Sequence, residues 1–146
     1  MVGPPPELLG EWTLVSWSGV GDDGSPVDHG SNPSGELIYL PSGRMSVQIQ
    51  HGEREQFGSR EWTAGDQAQR ADAYSTFNAY SGTFTIPEPG VVVHHVELAI
   101  HPDHPGMDKR REYTLEGNEL TLRTQDMETP DGPATSELRW RRRPDA

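Results

Sequence analysis

The chain contains no cysteine, so it has neither a disulfide framework nor a thiolate to act as nucleophile or metal ligand. Positive charge is scarce: twelve basic residues face twenty-three acidic ones for a net charge of -11, which argues against nucleic acid or an anionic membrane as partner. Lysine is almost missing, Lys109 standing alone among arginines, four of which (Arg139, Arg141, Arg142 and Arg143) crowd the end. No apolar stretch approaches the ~18 residues that a membrane span needs. The opening Met1-Val2-Gly3-Pro4-Pro5-Pro6 lacks the charged and apolar regions of a secretory signal, so a soluble, cytoplasmic protein is expected. At 146 residues the chain is long enough to bury one core and is read as a single domain, with residues 1–7 a flexible start and 142–146 a tail.

What the sequence does have is punctuation. Sixteen glycines and thirteen prolines cut it into strand-length segments: Gly10–Ser18, Gly35–Leu40, Arg44–Gln50, Asn78–Ile86, Val91–Ile100, Arg110–Leu115, Glu119–Arg123 and Thr135–Arg141. Eight antiparallel strands joined by turns such as Pro41-Ser42-Gly43 and Glu116-Gly117-Asn118 fit a closed all-β barrel. Two segments interrupt the rhythm. Gly19–Pro33 reads as a long loop able to cover one barrel mouth. Within Trp62–Phe77, Ala64, Ala68, Ala71 and Tyr74 recur near the helical period, predicting one short helix that plugs or flanks the barrel.

The run Val91-Val92-Val93-His94-His95-Val96-Glu97-Leu98 is strand-prone yet ionisable, and which face is inward decides its meaning. Alternation alone puts His94 inside. If Pro87–Gly90 is a four-residue loop, however, Ile86 pairs with Val91, Phe84 with Val93, Gly82 with His95 and Tyr80 with Glu97. The apolar face then carries His95 and Glu97 inward beside Tyr80, Gly82 leaves space above the imidazole, and His94 is structural. A one-residue change in that loop inverts the assignment. Arg111, alternating with Tyr113 and Leu115, is expected to reach the same interior and to pair with Glu97.

Several motifs resemble the lipocalin-like domain proteins of bacteria and fungi: Leu9-Gly10-Glu11-Trp12 with Leu14-Val15-Ser16, Gly35-Glu36-Leu37-Ile38-Tyr39, and Gly43-Arg44-Met45-Ser46-Val47-Gln48. They continue in order through Ala79-Tyr80-Ser81-Gly82-Thr83-Phe84, His94-His95-Val96-Glu97, Pro105-Gly106, Arg111, Gly117-Asn118-Glu119-Leu120-Thr121-Leu122 and Trp140. The resemblance implies a compact antiparallel barrel around a cavity, in a family whose members often lie near secondary-metabolite genes and whose related barrels include cofactor-free cyclases and isomerases as well as plain binders. Arg110, Glu112 and the arginine-rich end depart from the family's pattern.

The expected function is therefore binding of a small, largely apolar metabolite, with the barrel acting as a cofactor-independent cyclase or isomerase on a polyketide-like intermediate. In that reading His95 is the acid or base, Glu97 orients it, and Tyr80 or Arg111 stabilises negative charge on a carbonyl. Trp12, Leu14, Ser16, Leu37, Tyr39, Met45, Val47, Gln48, Phe84, Val93, Tyr113 and Trp140 are the expected ligand-lining residues. The alternatives are a non-catalytic carrier or sensor of a hydrophobic ligand, and an accessory interaction domain with a filled core. No cofactor is expected. His95, Glu97, His101, Asp103 and His104 cluster in sequence, but an extended chain separates His95 from His101 by about 20 Å, so no metal site is expected either. Nucleophile elbows, phosphate loops and dinucleotide fingerprints are missing. A monomer or homodimer is expected.

Overall fold

The computed structural model describes residues 5–21, 24, 32–129 and 132–144. Its strands are β1 (Gly10–Gly21), β2 (Ser34–Tyr39), β3 (Arg44–Gln50), β4 (Phe77–Glu88), β5 (Val91–Ala99), β6 (Asp108–Glu116), β7 (Glu119–Thr129) and β8 (Gly132–Arg142). Each pairs antiparallel with the next and β8 returns to β1, closing an eight-stranded barrel. Period-two patterning drives this closure: in β3, Met45, Val47 and Ile49 are buried while Arg44, Gln48 and Gln50 face water. Several strands outrun the sequence pattern, most of all β7 and β8. The expected mouth loop begins later, since Gly19–Gly21 belong to β1; most of the rest of 19–33 lies outside the described residues.

The helix α1 (Gln67–Ser75) starts at Asp66, whose carboxylate accepts from the Gln69 amide while the Gln69 side chain accepts from the Asp66 amide, a reciprocal cap. None of its residues is buried. It flanks the barrel at β4 and does not plug it, because its face offers alanines and polar residues where a plug needs large apolar ones.

One end of the barrel is shut by a 3-10 turn, Pro6–Leu8. Trp12 Nε1 donates to the Leu8 carbonyl at 3.1 Å, and the Arg142 guanidinium lies 4.3 Å from the Trp12 ring centre while donating to the carbonyls of Glu7 and Leu9. A cation over an indole and two charge-assisted bonds make this a firm closure. Arg142 is thus a working part of β8, and Arg139 and Arg141 pair with Glu119, Arg143 with Glu11 and Glu36. The opposite end carries the β1–β2, β3–β4, β5–β6 and β7–β8 connections.

The β4–β5 register differs from the expected one. Glu88 pairs with Val91, so the turn is only Pro89-Gly90, and the ladder slips between Thr85 and Glu88. Pro87 has no N–H to give the ladder, which is why a bulge forms there, and Gly90 supplies the positive φ of the turn. Thr85 then meets Val93, Phe84 meets His94 and Thr83 meets His95. This one-residue offset turns the middle of β5 over: Val92, His94 and Val96 are buried and His95 and Glu97 are outside. A second slip follows at Ser81/Gly82, where a Cβ on Gly82 would sit 1.9 Å from the His95 carbonyl oxygen. Gly82 therefore makes room for backbone and not for an imidazole.

Candidate functional site

β2, β4 and β5 each contribute one polar side chain to the middle of the barrel. His94, 1% exposed, has Nε2 at 2.7 Å from the Tyr39 hydroxyl and Nδ1 at 2.7 Å from the Tyr80 hydroxyl. The bar Tyr39–His94–Tyr80 is surrounded by Phe84, Leu37, Met45, Val92 and Val96, all buried; the Tyr39 and Phe84 rings are tilted at 4.7 Å. Burial, with the nearby cations Arg111 and Lys109, pushes His94 down to about 3, so its imidazole is neutral. Burial raises both tyrosines above their ordinary value, although Arg111 opposes the rise.

β6 supplies the charge. Lys109 pairs with His94 and Arg111 with Val92 in the ladder, which places both on the inward face. Lys109, 9% exposed, has Nζ 4.6 Å from the Tyr80 ring centre and 3.0 Å from His104 Nδ1. Burial and then Arg111 push it down to about 8. Arg111 acts on the Tyr80 hydroxyl, holding back the rise that burial causes, and donates to the Arg110 carbonyl at 3.2 Å.

A proton count follows. A neutral imidazole has one N–H and one acceptor nitrogen, so one tyrosine donates to His94 and the other accepts from it. Both tautomers make the two bonds, and each leaves one tyrosine hydroxyl proton over: that of Tyr39 when Nε2 carries the hydrogen, that of Tyr80 when Nδ1 carries it. The buried Trp140 Nε1–H is likewise without a partner. Among the described residues, the polar groups left over in this apolar interior are therefore donors.

The expected site residues divide accordingly. Tyr80, Arg111, Trp12, Leu14, Leu37, Tyr39, Met45, Val47, Phe84, Tyr113 and Trp140 lie on the inward face or pack against it. His95 and Glu97 do not. His95 lies on the outer wall between Thr85 Oγ1 at 2.9 Å and Asp108 Oδ1 at 2.7 Å, and Glu97 pairs at 3.2 Å with Arg44 and not with Arg111. Three lining expectations are corrected as well. Gln48 points out opposite Glu36, Val93 faces out opposite Thr85 and Arg110, and a bulge between Leu14 and Ser16 turns Ser16 toward the outer face with Arg139. That bulge brings Trp17 in, where it packs against the core, donates to Ser136 Oγ at 2.7 Å and meets the His51 ring edge-on.

His94 and Lys109 are inward-facing polar residues that sequence reasoning did not place in the candidate site. The signal for the first was Pro87, which forbids a regular ladder beside Val91; for the second it was the isolation of one lysine in step with Arg111. No group of three or more histidine, aspartate and glutamate side chains able to hold a metal occurs among the described residues. The outer groove of about 580 Å³ between residues 54–60 and α1 shares no side chain with the bar.

With this geometry in view, a model of the lipocalin-like domain matches residues 9–143. The 4'-hydroxy-3'-methoxypropiophenone carrier protein ppsC of Aspergillus oryzae is 30% identical over 87 residues, covering 55% of this chain and 78% of the relative.

Proposed function

We propose that this chain, which belongs to the lipocalin-like domain family, is a carrier of a small aromatic ketone or a molecule of that chemistry. The observation behind the reading is the Tyr80–His94–Tyr39 bar, which leaves one tyrosine hydroxyl proton over among Phe84, Leu37 and Met45; with the Nε2–H tautomer of His94 that proton is Tyr39's. An apolar wall with one convergent donor suits an aryl ring bearing a carbonyl. The relative, named for carrying a hydroxy- and methoxy-substituted propiophenone, supports the same class. Entry is from the end opposite the Trp12–Arg142 closure.

Titrating propiophenone while following tryptophan fluorescence should give saturable binding, with the ketone recovered unchanged. Tyr39→Phe should weaken it about tenfold, the value of roughly one directed hydrogen bond. Absence of saturable binding to the folded protein overturns the reading.

A second reading, a cofactor-independent cyclase or isomerase, has its own support. Lys109, held down to about 8 beside Arg111, is the kind of amine that can remove a proton next to a ketone whose oxygen is held by Tyr39. It replaces the base first expected at His95. Incubation of the ketone in deuterium oxide separates the two: protein-dependent deuteration at the carbon beside the carbonyl indicates turnover, and none indicates carriage.

A further inference from the structure

The protein carries a net charge of -11, yet its interior has the opposite sign. On the outer wall, cations are matched: Arg44 with Glu97, Arg110 with Glu88 and Glu112, Arg123 with Glu137, and Arg143 with Glu11 and Glu36. Lys109 and Arg111 differ. Neither has a carboxylate within ion-pair distance among the described residues, and their polar contacts are a histidine nitrogen, a tyrosine ring, a tyrosine hydroxyl and a backbone carbonyl. None of these neutralises a charge. Two neighbouring like charges, partly desolvated and unpaired, are costly to keep unless an anion completes the site.

We propose that Arg111, with Lys109 behind it, selects an aromatic carboxylate as ligand, seating the carboxylate between the Arg111 guanidinium and the Tyr39 hydroxyl. This rests on the carrier reading and narrows its ligand class. Guanidinium and carboxylate match in planar, two-point geometry, and the Tyr39 proton, left over with the Nε2–H tautomer of His94, supplies a third donor. Lys109 faces the same ring, Tyr80, from the side of the β5–β6 connection, where His104 holds it, and adds long-range attraction in a medium less screening than water. Burial and then the neighbouring Arg111 push it down to about 8, as fits a partly desolvated amine beside a like charge.

The test compares 2-naphthoate with 2-acetylnaphthalene, which share a ring system and differ in carboxylate against ketone. Wild-type protein should bind the carboxylate at least about tenfold more tightly at low salt. Arg111→Gln should erase that preference, while Arg111→Lys, which keeps the charge but loses the planar two-point fork, should retain only part of it. Lys109→Met should reduce the preference in part. Ketone binding without a carboxylate preference, or a preference that survives Arg111→Gln in a variant with wild-type circular dichroism, overturns this inference and leaves the carrier reading standing. Binding of neither compound removes both.

Discussion

His94 and His95 are neighbours in sequence on one strand, and the barrel wall makes them different chemical objects. His94 is sealed between two tyrosine hydroxyls and held down to about 3. His95 has a similar pair of partners, a hydroxyl on one nitrogen and a carboxylate on the other. Its Thr85–His95–Asp108 chain even has the connectivity of a nucleophile, base and orienting acid. What it lacks is enclosure: Thr85 and Asp108 are exposed and the strand amides around them are engaged in the ladder, so no preorganised donors converge on a reacting atom. The same side chain becomes a site on one face of a strand and a surface contact on the other. Chemistry here is conferred by the register.

The hardest way to break the comparison is therefore to break the register. Gly82→Ala would place a Cβ 1.9 Å from the His95 carbonyl oxygen, and backbone must move to admit it. A loss of about 4 kcal/mol or more is expected in urea unfolding, at the upper end for a single substitution. A near-neutral Gly82→Ala would show that the β5 bulge is not needed to hold His94 in.

Next comes the direct contrast. His94→Ala leaves a cavity and two buried hydroxyls short of a partner, so it should cost about 3 kcal/mol. His95→Ala removes only surface contacts and should stay within about 0.5 kcal/mol. Equal losses in the two variants would contradict the inward and outward placement.

That placement also marks where the sequence stops being informative. The barrel was legible because Met45, Val47 and Ile49 alternate with polar residues and because glycine and proline mark most of the joins. The inward face of β4 was legible from Tyr80 and Phe84 for the same reason. The face of β5 was not, since it hangs on whether Ile86 and Pro87 join the ladder, and side-chain pattern does not report which amide goes unpaired. Ser16 failed in the same manner: one extra residue in β1 hands the interior from Ser16 to Trp17. Alternation finds strands, and bulges decide which atoms meet.

A smaller effect sharpens the electrostatic half of the contrast. An unfolded histidine binds a proton near its ordinary value of about 6.5, whereas native His94 holds out to about 3. Between these values the unfolded state carries the extra proton, so the contribution of His94 to stability is fully present above the unfolded value and lost as pH falls. The slope approaches 1.4 kcal/mol per pH unit. His94→Gln keeps a donor and an acceptor for the two tyrosines and does not titrate. The difference between wild-type and variant stability should accordingly shrink from pH 7 toward pH 4, and a constant difference would mean that native His94 takes up its proton as the unfolded chain does.

The smallest effect is expected where catalysis was first anticipated. Glu97 and Arg44 form an ion pair with both side chains about half exposed, a class worth roughly 0–1 kcal/mol and screened by salt. Glu97→Gln should thus change stability by less than about 0.5 kcal/mol. The ligand readout is the stricter one, because a wall of β-sheet separates Glu97 from the bar: naphthoate and ketone affinities should both stay at wild-type values in Glu97→Gln. A loss of binding there, with the fold intact, would place the site on the outer face with His95 and reverse the reading of the strand.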